Sequence, residues 1–201
     1  MLRSPHAHAR LRGIDIAAAI GAPGVLAAFA GEDLARDGIG SIPCLSALTN
    51  RDGSPCVMPP HPAIARDSVR HVGDTVALVV AESLAEARDA AELVAVDYEP
   101  LPAAVDTARA LEAGQPQVWD AAAPGNLCFD WEVGDGVAVQ RAIAGARHRI
   151  VLELVNNRVV VNSMEPRGAI GEHDPGEDSY ILWSSTQGSH FVRNLLAESI
   201  L

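Results

Sequence analysis

The sequence contains no lysine, so all 15 of its basic residues are arginine, and 26 acidic residues outnumber them. The formal net charge is −11, and the arginines form no basic run. Because a surface of this sign repels phosphate groups, the composition predicts that neither nucleic acid nor an anionic membrane is a partner.

Long apolar segments are also missing. No run approaches the ~20 residues that a membrane-spanning helix needs, and the first residues lack the apolar core of a signal peptide. The three cysteines, Cys44, Cys56 and Cys128, are far apart and form no C-x-x-C motif, which argues against a disulfide framework and a zinc site. We expect ordinary thiols in a cytoplasmic protein.

Several familiar catalytic motifs are absent. The sequence has no G-x-G-x-x-G, P-loop, G-x-S-x-G or H-E-x-x-H pattern, so no nucleotide, hydrolase or zinc-protease site is indicated. His6 and His8 flank an alternating segment and are expected to be exposed strand residues. The acidic residues around Pro175-Gly176 are typical of a hydrated hairpin turn.

Hydrophobic residues make up 48 % of the chain, which is enough for a packed core. The first part of the chain predicts a strand over 7–14, a helix over 16–20 with Asp15 as its N-cap, a strand over 24–30 and a helical turn over 32–36. Residues 37–62 are rich in proline and form a long irregular excursion, and such loops are usually functional or interfacial.

Regular patterning returns at Ser68. A hairpin-like turn at Gly73-Asp74 leads into a central strand over 76–81. Ser83 and Glu86 form a capping box for a helix whose buried face is predicted to carry Leu84, Ala87, Ala91 and Val94. A strand over 94–98 follows, and the β-α-β order with added strands predicts a small α/β (α+β) domain over residues 1–105.

Residues 106–125 are predicted to be a linker, and a second domain is predicted over 126–201. The patterns in this second part predict strands over 127–133, 147–155, 159–164, 168–173 and 180–184, and helices over 137–143 and 190–200.

Two polar groups in the second part are unusual. Glu165 and Arg167 lie between apolar strands, and we expect them to be partly buried and paired. In the segment from Trp183 to His190, Ser185, Thr186 and Ser189 are good N-cap residues, and free N–H groups at a helix start can hold an anion or an oxo group. Gln187 adds an amide donor that stays neutral at any pH. An ordinary capped helix with Gln187 exposed remains the alternative on these residues alone.

The order of four segments resembles the large, molybdopterin-binding subunit of the xanthine dehydrogenase family, above all its aldehyde oxidase and carbon-monoxide-dehydrogenase-type members. The segments are VRHVGDTVALVVAES from Val69, AELVAVDYEPLPAAVD from Ala91, MEPRG from Met164 and WSSTQGSHFVRNLLA from Trp183. RSPHAHARLRGID from Arg3 resembles an early strand of the same subunit. Each motif is weak singly, whereas the ordered series is specific.

The resemblance implies an α/β-hammerhead domain over 1–105 and the start of the first molybdopterin-binding domain from residue 126. It implies that Gln187 binds the cofactor by hydrogen-bonding an oxo ligand of molybdenum, not the metal. No catalytic residue and no metal ligand is carried over, because the family's base glutamate and its glycine-rich pterin segment match no part of this sequence.

The implied activity is oxidation of an aldehyde, an N-heterocycle or carbon monoxide with water as the oxygen source. The implied cofactor is molybdopterin in its cytosine dinucleotide form, with electrons passing to a [2Fe-2S] small subunit and an FAD-binding medium subunit. We expect the 201 residues to be an N-terminal fragment of such a subunit, shortened at its leading strands and inactive alone. The alternative is a non-catalytic subunit-docking or assembly module.

Overall fold

The computed structural model describes residues 1–45, 48–156 and 162–197. Its described residues form two compact units, one from Met1–Glu132 together with 193–197, and one from Val133–Val192. The strands within the described ranges are β1 (Leu2–Arg3), β2 (Ala9–Asp15), β3 (Val25–Ala30), β4 (Ser68–Val69), β5 (Thr75–Ala81), β6 (Ala95–Pro100), β7 (Ala169–Asp174) and β8 (Ser179–Ser184). The α-helices there are α1 (Ala17–Ile20), α2 (Gly31–Arg36), α3 (Leu84–Glu92), α4 (Gly136–Gly145) and α5 (Ser189–Leu195), and Pro124–Asn126 is a short 3-10 turn.

The first unit is built on two three-stranded sheets, with strand orders β1-β5-β3 and β4-β2-β6. All of their pairings are antiparallel. In the second sheet Leu11 lies opposite Tyr98 and Ile14 opposite Val96. The mixture of helices and strands confirms the predicted α/β (α+β) fold class.

The turn at Gly73-Asp74 is present, but it does not close the hairpin that the sequence predicts. Gly73 has a φ of 89°, a conformation that favours glycine. The strands on either side, β4 and β5, belong to different sheets. The turn bonds instead to Ser4, whose N–H donates to the Asp74 carbonyl and whose carbonyl accepts from the Gly73 N–H, both at 2.8 Å. Long-range pairing with β1 and β2 therefore overrides the local hairpin pattern.

The core of the first unit is made of small side chains. Two clusters of buried residues occur, and partly buried Leu2, Ile14 and Val96 pack against both. In the first cluster, Ala90 of α3 packs with Ala77 and Val79 of β5. Because these side chains are small, the helix can lie close to the sheet. The first cluster is Ala19, Ala28, Ala77, Val79, Ala90 and Val94, and the second is Ala9, Ala65, Val69 and Val76.

Helix α3 follows the predicted period with one exception. Ala90 and Val94 are buried and Ala87 and Ala91 are half-buried, but Leu84 is 67 % exposed. The centre of the buried face lies near Ala90, and at 100° per residue Leu84 lies about 120° around the helix from it, outside that face. The prediction that Leu84 is buried was wrong.

Helix starts in the first unit are satisfied by nearby side chains. The Ser83 hydroxyl accepts from the Glu86 N–H at 3.2 Å, which confirms Ser83 as the N-cap of α3. The predicted capping box is incomplete, because Glu86 Oε2 accepts from the Ser83 hydroxyl at 2.7 Å and not from the Ser83 N–H. Asp15 is the last residue of β2 and not the N-cap itself, which is Ile16. Its carboxylate nevertheless accepts from the Ala17 N–H at 2.9 Å. Asp15 therefore satisfies a free N–H group at the start of α1, although it precedes the N-cap by one residue.

The predicted strand over 127–133 is absent. This segment lies against residues 49–57, which we call the Arg51 loop. The N–H groups of Arg51 and Val57 donate to the carbonyls of Asp130 and Cys128 at 2.8 and 2.7 Å. Two isolated bonds to an irregular loop make no ladder, so alternation alone did not produce a strand.

The second unit contains a helix and a hairpin. Asp135 caps α4 by accepting from the Ala138 N–H at 2.8 Å, and β7 and β8 pair in register from Ala169↔Ser184 to Asp174↔Ser179. Helix α4 and both hairpin strands were predicted within about two residues of their observed bounds.

Other predicted elements of the second unit differ. Residues 147–155 form no strand, and Ile150 is 94 % exposed. An alternating segment becomes a strand only when a neighbour pairs with its N–H and C=O groups, and no described residue does so. Residues 162–164 are not a strand, and 159–161 lie outside the described ranges. Helix α5 ends at Leu195, and the predicted continuation over 198–200 lies beyond the described residues.

Among the described helices, none is long and apolar enough to cross a membrane.

Candidate functional site

The β7–β8 hairpin carries the segment that the sequence singles out. Its strands lie opposite each other with Ile170 facing Trp183 and Glu172 facing Ile181. The indole Nε1 of Trp183 donates to Glu172 Oε1 at 2.8 Å, which joins the two strands diagonally near the end of β8. This bond ties the last residues of β8 to β7 just before the chain leaves the sheet.

The acidic residues of the hairpin divide into two kinds. Asp174 Oδ1 accepts from the Gly176 N–H at 2.8 Å, as expected of an acidic side chain in a hydrated turn. Glu172 differs, because it accepts from Trp183 and so belongs to the strand pairing. None of these contacts implies acid–base chemistry.

Gln187 lies in the exposed connection between β8 and α5. The Gly188 N–H donates to Thr186 Oγ1 at 3.1 Å, so one of the N–H groups that precede the helix is already satisfied. The side chain of Gln187 is exposed and makes no hydrogen bond to any residue that the structure describes. A neutral amide donor is therefore available at the end of the β7–β8 hairpin.

Glu165 and Arg167 do not form the predicted pair. Both side chains are exposed, and within the described ranges no ion pair joins them. The prediction required apolar strands on both sides, but residues 162–164 are not a strand and nothing described covers this segment. Exposed charges need no partner, because water solvates them.

His6 and His8 are half-buried, not exposed as predicted. The His6 ring lies 4.8 Å from the ring of Tyr98, and His8 Nδ1 lies 2.9 Å from the Pro102 carbonyl oxygen. Burial raises the pKa of Tyr98, and a hydrogen bond from Ser4 opposes that shift. These contacts join the residues before β2 to β6 and to the residues that follow it. They give no indication of a ligand site.

The cysteines are unbridged, and the described part of the chain has no group of three or more His, Cys, Asp or Glu residues that could hold a metal ion.

Two polar arrangements could not be found from sequence. Arg51 binds Asp130 and Glu132 at 2.7 and 3.1 Å, and the guanidinium of Arg70 lies 3.4 Å from the ring centroid of Trp119. The partners are 79, 81 and 49 residues apart along the chain. Local patterning contains no signal for contacts at such separation.

Comparison with protein families gives two consecutive matches. Residues 1–102 match the model described as "Aldehyde oxidase and xanthine dehydrogenase, a/b hammerhead domain", and residues 119–201 match "Molybdopterin cofactor-binding domain".

Relatives over the whole chain agree with these matches. The chain is 34 % identical over 196 residues to the nicotine 6-hydroxylase large subunit of Paenarthrobacter nicotinovorans, covering 98 % of this chain and 23 % of that protein. It is 30 % identical over 207 residues to the carbon monoxide dehydrogenase large chain of Afipia carboxidovorans, covering 98 % and 24 %. Its fold matches quinoline 2-oxidoreductase of Pseudomonas putida 86 with a TM-score of 0.80 at 31 % identity, covering 99 % and 24 %.

The fold and both matches define a chain of the hammerhead and molybdopterin-cofactor-binding type. The protein belongs to the aldehyde oxidase and xanthine dehydrogenase family, with a hammerhead match followed by a molybdopterin-binding match. It spans about a quarter of the length of these relatives.

Proposed function

We propose that this chain is part of the catalytic large subunit of a molybdenum hydroxylase, which oxidises its substrate with water as the oxygen source. The two consecutive family matches, one for a hammerhead domain and one for a molybdopterin-binding domain, carry this proposal. The division into a hammerhead domain over 1–105, a linker over 106–125 and the start of a cofactor domain over 126–201 is part of it.

Gln187 is the residue that we propose for cofactor binding. Its side chain is exposed and has no competing hydrogen bond among the described residues. An amide N–H can donate to an oxo ligand without adding charge, and it remains neutral at every working pH. The donor chemistry of this residue therefore fits a molybdenum cofactor, although one residue forms only one wall of a site.

When bound, the molybdenum centre would supply an activated oxygen nucleophile at neutral pH. The chain's own contribution is positional. The Trp183–Glu172 hydrogen bond fixes the end of β8, and the Thr186 hydroxyl holds the Gly188 N–H. Together these contacts restrict the backbone on both sides of Gln187, which reduces the entropy lost when its amide binds.

The cofactor, partners and location follow from the same proposal. We propose molybdopterin in its cytosine dinucleotide form, with electrons leaving through a [2Fe-2S] small subunit and an FAD-binding medium subunit in the cytoplasm. Names of relatives such as "large chain" and "subunit gamma" support a multi-subunit enzyme.

For the substrate we propose an aldehyde, an N-heterocycle or carbon monoxide. The N-heterocycle is favoured among them, because the relatives compared above include proteins named for nicotine and for quinoline, both of which contain a nitrogen heterocycle.

A non-catalytic subunit-docking module is the second candidate. It is supported by the Arg51 loop, part of a long irregular excursion that Arg51 and Asn50 hold in a defined conformation. A rigid exposed loop is suited to contact with another subunit.

The test is to isolate the protein in its native complex and measure molybdenum by elemental analysis and substrate oxidation with an artificial electron acceptor. We expect stoichiometric molybdenum and oxidation of at least one of an aldehyde, an N-heterocycle or carbon monoxide. Gln187→Ala should lower the molybdenum content or change the molybdenum EPR signal. The matched control is Gln140→Ala, because Gln140 is exposed on α4 and makes no described hydrogen bond.

A complex that contains partner subunits but neither molybdenum nor turnover would favour the docking module. Equal effects of Gln187→Ala and Gln140→Ala would contradict the role of Gln187 while leaving the family function intact.

A further inference from the structure

Residues 106–126, which we call the strap, contain no α-helix or β-strand, yet their own side chains hold them in a defined conformation. The Nδ2 group of Asn126 donates to the carbonyls of Ala110 and Pro116, both at 2.9 Å. Its Oδ1 accepts from the Val118 N–H at 2.8 Å. Asn126 has a φ of 60°, a left-handed conformation in which asparagine is several-fold enriched. One side-chain amide therefore joins three separate points of the strap.

Other hydrogen bonds of the strap are internal as well. The Gly125 N–H donates to Gln117 Oε1 at 2.6 Å. The Ala123 N–H donates to the Trp119 carbonyl at 2.8 Å. Because these polar groups bond to one another, the strap can move as a whole without leaving them unpaired.

The strap is attached to the rest of the first unit mainly through Arg70. Within the described residues, the bond from Arg70 Nε to the Val118 carbonyl, at 3.1 Å, is the only hydrogen bond between the strap and a residue outside it. The same guanidinium lies 3.4 Å from the ring centroid of Trp119. Its Nη1 donates to the Ser68 carbonyl at 3.1 Å, so Arg70 joins the strap to β4.

We infer that the strap opens and closes as one piece and that Arg70 holds it closed. Ala123 is the one strap residue that is fully buried, so opening exposes little apolar surface. Segments with few buried apolar contacts open at a lower free energy than the whole domain. Trp119 is also the strap residue that lines a cavity of ≈ 220 Å³ beside α2, so opening removes one side of that cavity.

The inference does not depend on the proposed redox function, and its test requires no turnover. Hydrogen exchange of the full chain, followed by NMR, would compare three N–H groups that bond within the strap, those of Val118, Ala123 and Gly125. We expect their protection factors to agree within about threefold and to lie well below those of β5, the central strand of its sheet. Unequal protection of the three groups would contradict opening as one piece.

A variant of Arg70 tests what holds the strap closed. Arg70→Lys keeps the charge but removes the planar guanidinium that stacks on an aromatic ring and donates in fixed directions. We expect the protection of the three strap groups to fall by about fivefold, with β5 unchanged. Arg88→Lys, on the exposed side of α3, is the matched control and should have no effect.

Trp119 gives a second measurement. In a Trp131→Phe, Trp183→Phe background it is the remaining tryptophan, and acrylamide should quench its fluorescence more strongly after Arg70→Lys. Unchanged protection and quenching, or an equal loss of protection in β5, would overturn the role of Arg70. If Arg70→Lys does not fold, Trp119→Leu decides by hydrogen exchange, because it removes the stacked ring alone. Wild-type protection of the strap in that variant would exclude the stack as the contact that holds it closed.

Discussion

The carbonyl oxygen of Ala65 lies 2.5 Å from the position that a Cβ atom on Gly31 would occupy. Gly31 is the first residue of α2 and is buried, and Ala65 belongs to the second core cluster. The helix can approach the 64–66 segment this closely only because position 31 has no side chain.

Gly31→Ala should therefore destabilise the protein by about 1–3 kcal/mol, because the atom in the way belongs to the backbone and cannot move cheaply. The measurement is the free energy of unfolding in urea. Gly13→Ala is the control, because nothing lies within 4 Å of a Cβ at that position. Equal losses in both variants would contradict the close approach.

Ser83→Ala should cost about 1 kcal/mol of stability, because it removes the acceptor for the Glu86 N–H at the start of α3. Ser83→Thr retains a hydroxyl, so its stability should fall by only about a few tenths of a kcal/mol. Thermal unfolding of the three proteins tests the order. If Ser83→Thr falls as far as Ser83→Ala, the cap is not the cause.

Alkaline pH should destabilise the first unit through Tyr98. Burial raises the pKa of this hydroxyl, so the unfolded chain releases the proton at a lower pH than the folded protein. The contribution is complete below the ordinary tyrosine pKa of about 10, declines as pH rises above it, and is fully lost above the raised folded-state pKa. Unfolding measured from pH 9 to 11.5 should show this decline.

Tyr98→Phe should remove that decline, since phenylalanine has no proton to lose. The other tyrosine, Tyr180, is 71 % exposed on β8, and Tyr180→Phe should leave the decline unchanged. A decline that survives in Tyr98→Phe would assign it to another group.

Asn50→Ala should loosen the Arg51 loop more than Arg51→Ala does. The Asn50 amide donates to Ser54 Oγ and the Pro55 carbonyl and accepts from the Asp130 N–H. Arg51, in contrast, makes exposed ion pairs with Asp130 and Glu132, which stabilise little. Limited proteolysis across residues 49–57 should therefore be faster in Asn50→Ala, and the reverse order would contradict this ranking.

The local elements of the first unit were predictable because their signals are local. Ser83 followed by Glu86 identified the start of α3, and the apolar run over 76–81 identified β5. The partition of β4 and β5 between two sheets was not predictable, since Gly73-Asp74 has the pattern of a hairpin. Pairing with Leu2–Arg3 and Ala9–Asp15, distant in sequence, decides that question.

In the second unit the β7–β8 hairpin was predicted correctly, whereas the strand predicted over 147–155 is absent. The hairpin supplies both of its own strands across a short turn, so its pattern contains everything needed for pairing. Residues 147–155 alternate equally well, but no described residue pairs with them. The same limit applies to Glu165 and Arg167, whose pairing was predicted from strands that do not form around them.

By itself the sequence determined the ordered series of motifs, and with it the family, because these motifs depend on residue identity and spacing alone. It also selected Gln187, whose role remains a prediction. Only the tertiary structure decided that Arg70 meets Trp119 and that Arg51 meets Asp130. Such contacts join chain segments that are 49 and 79 residues apart, and no periodicity along the chain indicates which distant segments will meet.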